Sequence, residues 1–252
     1  MIEIKPLQNL KATVTVPGSK SYTNRALLIA GLTDGECRLE KPLVSDDTKY
    51  MIQALKAFGV PVREEEGAFI VSGKGGKLCA PDNDIFIGNA GTAMRFLTTF
   101  STLAPGKVRL DGDERMHERP LADLLDCLTQ MGIHAVSVND NGCPPIDIKG
   151  GEVPGGDVQL AGDKSSQYLT SILLSAPYFK NDTCVHIQGD LTSKSYADIT
   201  LDIMKTFGVH VENESYQHFK VKAGDHYKAQ TYQVESDWSS ASYFLAAAAV
   251  TG

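Results

Sequence analysis

The sequence predicts an α/β (α+β) chain built as a three-fold internal repeat, and three observations carry that reading. A small-residue, hydroxyl-rich turn runs into an apolar helix at Ser19-Lys20-Ser21, at Gly88-Asn89-Ala90-Gly91-Thr92 and at Lys164-Ser165-Ser166-Gln167. A fourth such start stands at Ser236-Asp237-Trp238-Ser239-Ser240, so the starts fall at residues 19, 88, 164 and 236, the near-constant period of a repeat architecture. In a second register, an amphipathic segment ends at an aromatic or Met residue, a Gly and a β-branched residue: Phe58-Gly59-Val60, Met131-Gly132-Ile133 and Phe207-Gly208-Val209. Short β-branched or alternating runs fill the intervals, giving roughly two helices and several short strands per unit.

Taken in order, Ala12-Thr13-Val14-Thr15-Val16 reads as a strand, and Asn24-Arg25-Ala26-Leu27-Leu28-Ile29-Ala30 as the first apolar helix. Asp46-Asp47 supplies an N-cap and first-turn pair for an amphipathic helix over 47–58, closed by Gly59 in a left-handed C-cap where a Cβ is costly. Ala68-Phe69-Ile70-Val71 is a strand, Ala93-Met94-Arg95-Phe96-Leu97 an apolar helix, and Val108-Arg109-Leu110 a strand. Helices follow over 121–131, from Tyr168-Leu169-Thr170 through Leu174, and over 197–207, and Ala246-Ala247-Ala248-Ala249 belongs to a closely packed helix.

The repeat matters electrostatically. A helix N-terminus carries unpaired N–H groups and about half a positive charge, so small hydroxyl residues there admit an anion. If pseudo-equivalent units pack around one axis, their helix starts point at one place, ringed by Lys20, Arg25, Arg95 and the Arg115/Arg119 pair. The expected ligand is a small, multiply anionic metabolite.

A net charge of −7 excludes the broad basic surface of a general nucleic-acid binder. No apolar run reaches the length of a membrane span, and Met1-Ile2-Glu3-Ile4-Lys5-Pro6 lacks a signal-peptide pattern, so a cytoplasmic protein is expected. Cys37, Cys79, Cys127, Cys143 and Cys184 form no CxxC pair and read as reduced, packed thiols. The six histidines show no metal-ligand spacing in the chain, and no metal is expected. Gly18-Ser19-Lys20-Ser21 fails as a nucleotide P-loop because Ser19 and Thr15 stand where that motif needs glycines. Asn181-Asp182-Thr183 and Asn213-Glu214-Ser215 match the glycosylation triplet, which has no meaning without secretion.

Five ordered motifs resemble one family. Pro17-Gly18-Ser19-Lys20-Ser21 with Asn24-Arg25-Ala26, Gly88-Asn89-Ala90-Gly91-Thr92-Ala93-Met94-Arg95, Arg115-Met116-His117-Glu118-Arg119-Pro120, Ser165-Ser166-Gln167-Tyr168-Leu169 and Ser193-Lys194-Ser195-Tyr196 look like the successive signatures of the EPSP synthase (3-phosphoshikimate 1-carboxyvinyltransferase) family. The resemblance implies the enolpyruvyl transferase fold, an inside-out barrel of two domains with three βαβαββ units each. It implies transfer of the enolpyruvyl group of phosphoenolpyruvate to the 5-hydroxyl of shikimate 3-phosphate with release of phosphate, without a cofactor. By similarity Lys20, Ser21, Arg25, Ser165, Ser166, Gln167, Ser193 and Tyr196 hold shikimate 3-phosphate. Lys20, Asn89, Gly91, Thr92, Arg95, Arg115 and Gln167 place phosphoenolpyruvate, Lys20 also standing as the catalytic residue between the two ligands.

The resemblance further implies that residues 1–18 and 236–252 belong to a second domain, with 19–235 as a complete three-unit substrate domain. The family's principal acid and base groups fall in the last third of the enzyme, so this chain is expected to be a non-catalytic or substrate-binding fragment of a monomeric enzyme. Its exposed interdomain face is expected to promote self-association. Gly91 is expected to leave room for glyphosate, while Phe96, where many members have Pro, departs from the pattern and is expected to leave the helix start freer. Two alternatives stand beside this reading. One is a non-catalytic anion-binding module, and the other UDP-N-acetylglucosamine enolpyruvyl transferase, whose loop Cys is absent from Asp111-Gly112-Asp113-Glu114-Arg115-Met116.

Overall fold

The computed structural model describes residues 11–251. The first unit contains α1 (Lys20–Leu32), β1 (Asp34–Glu40), α2 (Asp46–Ala57), β2 (Val62–Glu65) and β3 (Ala68–Lys74). The second contains β4 (Ile85–Phe86), α3 (Gly91–Phe100), β5 (Gly106–Asp111), α4 (Ala122–Gln130), β6 (His134–Ser137) and β7 (Ile146–Gly150). The third contains β8 (Gly156–Ala161), α5 (Ser166–Ser175), β9 (Thr183–Gln188), α6 (Lys194–Thr206), β10 (Val211–Glu214) and β11 (His218–Val221), after which come β12 (Thr231–Gln233) and α7 (Trp238–Thr251).

The described strands form three four-stranded sheets of one design: β4-β5-β7-β6, β8-β9-β11-β10 and β12-β1-β3-β2. In each, the first two strands run parallel and the remaining pairings are antiparallel. Units two and three are therefore βαβαββ in chain order. Unit one takes its leading strand from the far end of the chain, with Arg38, Leu39 and Glu40 in register with Thr231, Tyr232 and Gln233. This corrects the reading of 12–16: that alternating segment forms no strand, because the place beside β1 is taken by β12 and no described strand pairs with it.

Packing follows from composition. Helices α1, α3 and α5 are apolar on nearly every side and lie buried at the centre, as all-round hydrophobic helices must. Helices α2, α4 and α6 bury one face each, and burial alternates along strands such as β6 and β9, while β3 buries Ala68 to Val71 in succession. Each amphipathic helix ends in a Schellman motif: the N–H groups of Gly59, Gly132 and Gly208 donate to Lys56, Thr129 and Lys205, those of Val60, Ile133 and Val209 to Leu55, Leu128 and Met204. The three glycines have φ of 81°, 77° and 91°.

Four local expectations need correction. Ser45, not Asp46, caps α2, since its side chain exchanges hydrogen bonds with Thr48 in a capping box and leaves Asp46 and Asp47 in the first turn. Helix α6 begins at Lys194, three residues before the expected start. Helix α7, which holds the alanine run, has no buried residue, so that run is helical without being packed among the described residues. Cys37 and Cys127 are buried, but Cys79 is exposed and Cys143 and Cys184 are intermediate; none forms a disulfide among the described residues. No described helix is long and apolar enough to cross a membrane.

Candidate functional site: an anion-binding hollow at converging helix starts

The starts of α1, α3, α5 and α6 meet at one surface hollow of about 370 Å³. Lys20, Ser21, Thr92, Lys164, Ser165, Ser166, Gln167, Thr192, Ser193 and Tyr196 line it. Three of the four helix starts have no side-chain cap: Ser19 before α1, Ala90 before α3 and Ser193 before α6. Backbone carbonyls take the Gly91 and Tyr196 N–H groups, Asn89 O at 3.0 Å and Ser193 O at 2.9 Å, and no side chain caps the other first-turn N–H groups of these three helices, the arrangement that favours an anion. Only at α5 does a hydroxyl fill that role, Ser165 accepting from the Gln167 N–H. Ser193 holds φ 55° and ψ 48°, a left-handed conformation that a non-glycine residue keeps only where its surroundings enforce it.

The charges around the hollow are set differently from one another. Lys20 is half exposed, and its ammonium pairs with Asp47 at 3.1 Å, so an arriving phosphate competes with a carboxylate for it. Arg25 is 1% exposed and sits behind the hollow. Its guanidinium donates to Thr200 Oγ1 (2.9 Å), Ser21 O (3.0 Å), Tyr196 O (3.2 Å) and Thr170 Oγ1 (3.3 Å), tying α1, α5 and α6 together. The Phe96 ring lies 5.1 Å from it. Among the described residues no carboxylate pairs with this cation, and burial pulls its pKa down to about 10, so it remains charged at neutral pH.

Beside the first hollow lies a smaller cleft lined by Gly91, Met94, Arg95, Met116, Arg119, Pro120 and Leu121. Arg95 connects the two by donating from Nη1 to Gln167 Oε1 at 2.9 Å, and its buried Nε has no hydrogen-bond partner among the described residues. A Cβ on Gly91 would stand 2.0 Å from Arg119 Nη1 and 3.3 Å from Arg95 Nη1, so the missing side chain lets both guanidinium groups close over the start of α3.

The structure therefore gathers Lys20, Ser21, Thr92, Ser165, Ser166, Gln167, Ser193 and Tyr196 around one hollow, with Arg25 behind it and Gly91 and Arg95 in the adjoining cleft. Asn89 and Arg115 are exposed and line neither, Arg115 Nη1 lying 3.9 Å from Glu118. Two polar lining residues, Lys164 and Thr192, lie outside the substrate set that the resemblance implies, and Arg119, expected only as a charge around the ligand, lines the cleft where that set has Arg115. Lys164 stands immediately before a hydroxyl-rich helix start, a signal that could have found it. Thr192 carries no such signal, and choosing between Arg115 and Arg119 requires knowing how the 3-10 turn Met116–Glu118 directs them.

The sequence profile of EPSP synthase (3-phosphoshikimate 1-carboxyvinyltransferase) matches residues 4–252. Proteins named 3-phosphoshikimate 1-carboxyvinyltransferase from Sulfurovum sp. (strain NBC37-1) and Escherichia coli (strain SMS-3-5 / SECEC) are each 46% identical over all of this chain, and one from Marinomonas sp. (strain MWYL1) is 45% identical. The chain spans 60% of the length of these relatives. Among solved structures, EPSP synthase from Acinetobacter baumannii superposes with a TM-score of 0.85 at 28% identity, covering 94% of this chain and 53% of that one. With the matching profile over nearly its whole length and the inside-out arrangement of helices and sheets, the chain belongs to the EPSP synthase family.

Proposed function

We propose that this chain carries the shikimate 3-phosphate-binding half of a 3-phosphoshikimate 1-carboxyvinyltransferase. The observation that carries the reading is the meeting of α1, α3, α5 and α6 starts at one hollow whose polar lining is almost wholly hydroxyl, amide and ammonium. The phosphate of shikimate 3-phosphate lies against the uncapped N–H groups, Lys20 and the hydroxyls of Ser21, Ser165, Ser166 and Ser193, with Gln167 and Tyr196 beside the ring. Arg25 acts on it through its field and its remaining N–H, since its other donors are taken. Phosphoenolpyruvate lies in the hollow beside the cleft, between Lys20 and Thr92 on one side and Gly91 and Arg95 on the other, with Asn89 and Arg115 approaching from the exposed rim. Arg119, which faces Gly91, is added to that set.

In the reaction so assigned, the 5-hydroxyl oxygen gives up its proton to a base and bonds to C2 of phosphoenolpyruvate as an acid delivers a proton to the methylene carbon, the C=C π bond breaking. Loss of a proton from the resulting methyl group then restores the double bond and expels phosphate. Two anions must lie side by side for this, and the cations and N–H donors offset their repulsion. Residues 19–235 form the binding domain in this reading, supported by β12 completing the first sheet, while 1–18 and 236–252 belong with a second domain. Because the named relatives are longer, turnover is assigned to the whole enzyme and binding alone to this chain. The sister enzyme is disfavoured: the nearest thiol, Cys127, donates to Gln159 O at 3.2 Å on α4, and burial pushes its pKa up to about 12.

Calorimetric titration tests the proposal. Shikimate 3-phosphate is expected to bind one-to-one with an affinity that falls with salt, and UDP-N-acetylglucosamine not at all. Lys20→Met is expected to weaken that binding by more than tenfold, the order of one charge-assisted contact. Absence of heat with shikimate 3-phosphate, or equal affinity for UDP-N-acetylglucosamine, would sink the assignment. Phosphate release at a near-normal rate would overturn the restriction to binding.

A further inference from the structure

The outer face of the third sheet holds a cluster that the hollow does not use. Along β9, Cys184 and His186 alternate with the buried Val185 and Ile187, so both side chains stand on the solvent side. The flanking strands bring partners into direct register: Asp157 of β8 opposite Cys184, and His218 of β11 opposite His186. His186 Nε2 lies 3.1 Å from Asp157 Oδ1, and His186 Nδ1 lies 2.8 Å from His218 Nδ1. Ligand atoms of Asp157, Cys184 and His186 all fall within 4.8 Å of one another.

We propose that Asp157, Cys184 and His186 form a site for a zinc-class divalent cation, with His218 as the positioning residue that fixes the His186 tautomer. The donors are one thiolate sulfur, one imidazole nitrogen and one carboxylate oxygen, a set suited to a borderline-soft ion rather than to magnesium or calcium. A tetrahedral zinc with bonds of about 2.0–2.3 Å separates its donors by roughly 3.3–3.8 Å, which side-chain rotation reaches from the present spacing. When Nε2 binds the metal, the proton must sit on Nδ1, where it donates to His218 Nδ1 in the manner of an outer-shell partner. Binding drives the Cys184 proton to solvent, and thiolate plus carboxylate then neutralise the ion's two charges. Lys220, opposite Cys184, is drawn toward Asp182 at 3.8 Å, while Glu212 and Glu214 on β10 make the surrounding face negative. Three ligands leave a fourth position open to water. Spacing along the chain hides this set, and strand pairing brings its members together in space.

Cobalt titration of the reduced, chelator-stripped chain provides the test. One equivalent of Co²⁺ is expected to give tetrahedral visible bands and a near-ultraviolet thiolate-to-cobalt transition, both displaced by Zn²⁺. Cys184→Ser should lose the thiolate transition, and His186→Ala should weaken binding at least tenfold. His218→Ala should weaken it by about 10–100-fold while keeping the transition, and His218→Gln, which retains an acceptor, should recover part of the loss. Cys79→Ser, at the exposed thiol, should change nothing. Zinc should raise the melting temperature of the parent chain but not of Cys184→Ser. The proposal is overturned if no one-to-one complex forms, if the thiolate transition survives Cys184→Ser, or if it disappears in Cys79→Ser. Circular dichroism of each variant shows that the fold is intact, as expected for side chains on the outer face of a sheet.

Discussion

At the scale of single residues, Arg25 shows how charge is held ready for an anion. Burial pulls its pKa well below the ordinary guanidinium range to about 10, so keeping it charged in the interior costs roughly 3 kcal/mol. A lowered folded-state value means that this cost stands at every pH below about 10 and is relieved only above it. Phe96 and the Thr170 and Thr200 hydroxyls offset part of it. We therefore predict that Arg25→Ala destabilises by roughly 3 kcal/mol, read as a lower urea midpoint, because it opens a cavity under Phe96. Arg25→Met should retain most of the stability yet lose shikimate 3-phosphate affinity by more than tenfold; parent-like affinity in the Met variant would remove Arg25 from the site. Phe96 also explains the departure from the family's proline. It stands wholly buried inside α3 rather than at its start, and a proline there would take away both a helical N–H and the face beneath Arg25. Gly91 works by absence. In Gly91→Ala the new methyl displaces Arg119, a flexible side-chain end, so folding stability should change by less than about 1 kcal/mol. Phosphoenolpyruvate and glyphosate affinity should fall at least tenfold, and unchanged titration curves for both would remove Gly91 from the site.

At the scale of elements, the local signals were legible wherever a single turn decides the outcome. Phe58-Gly59-Val60 and its two counterparts specify a left-handed residue and a hydrophobic return within six positions, and all three helices end there. The glycines nevertheless differ in their surroundings, which sequence does not reveal. A Cβ on Gly132 meets nothing within 4 Å, whereas one on Gly59 would stand 2.7 Å from Cys79 Sγ. Gly132→Ala should therefore cost about 1 kcal/mol of backbone strain alone, and Gly59→Ala measurably more. Adding Cys79→Ser to Gly59→Ala should leave most of the excess, because the backbone amide of Cys79 is pinned to Phe58 O at 2.9 Å. Equal midpoints for the two alanine variants would show that the contact relaxes freely. The hydroxyl-rich helix starts were legible in the same way, since small residues and uncapped N–H groups are local properties. The left-handed Ser193 and the aim of Arg119 were not, because both depend on how adjacent turns pack.

At the scale of the molecule, the decisive contact is the one least visible in the sequence. Thr231-Tyr232-Gln233 is too short and too polar to read as a strand, while 12–16 alternates well and forms none. What selects between them is closure: β1 has one open edge, and the chain returns after the third unit to fill it, with Arg38 N–H on Gln230 O at 3.2 Å and Val234 N–H on Glu40 O at 2.9 Å. Tyr232 adds a ring contact with Phe207 at 5.4 Å, joining the third unit to the first. With the edge filled, every unit has the same four-stranded sheet, and the central helices are enclosed by equivalent walls. Closure also sets the site, because α1 can face α5 and α6 only when the first and third units are adjacent. A chain ending after residue 235 should therefore melt in one transition close to the temperature of the parent, since no residue of α7 is buried and the cut removes only the backbone contacts of Ser236 and Asp237 with Gly18 and Pro17. A chain ending after residue 229 keeps α1, α5 and α6 but loses β12. It should melt at a lower temperature, aggregate through the open β1 edge, and bind shikimate 3-phosphate more weakly although no lining residue of the hollow is missing. Should the shorter chain match the longer one in melting temperature and affinity, closure by β12 would be dispensable, and the position of α1 against α5 and α6 would have to come from the central helices alone.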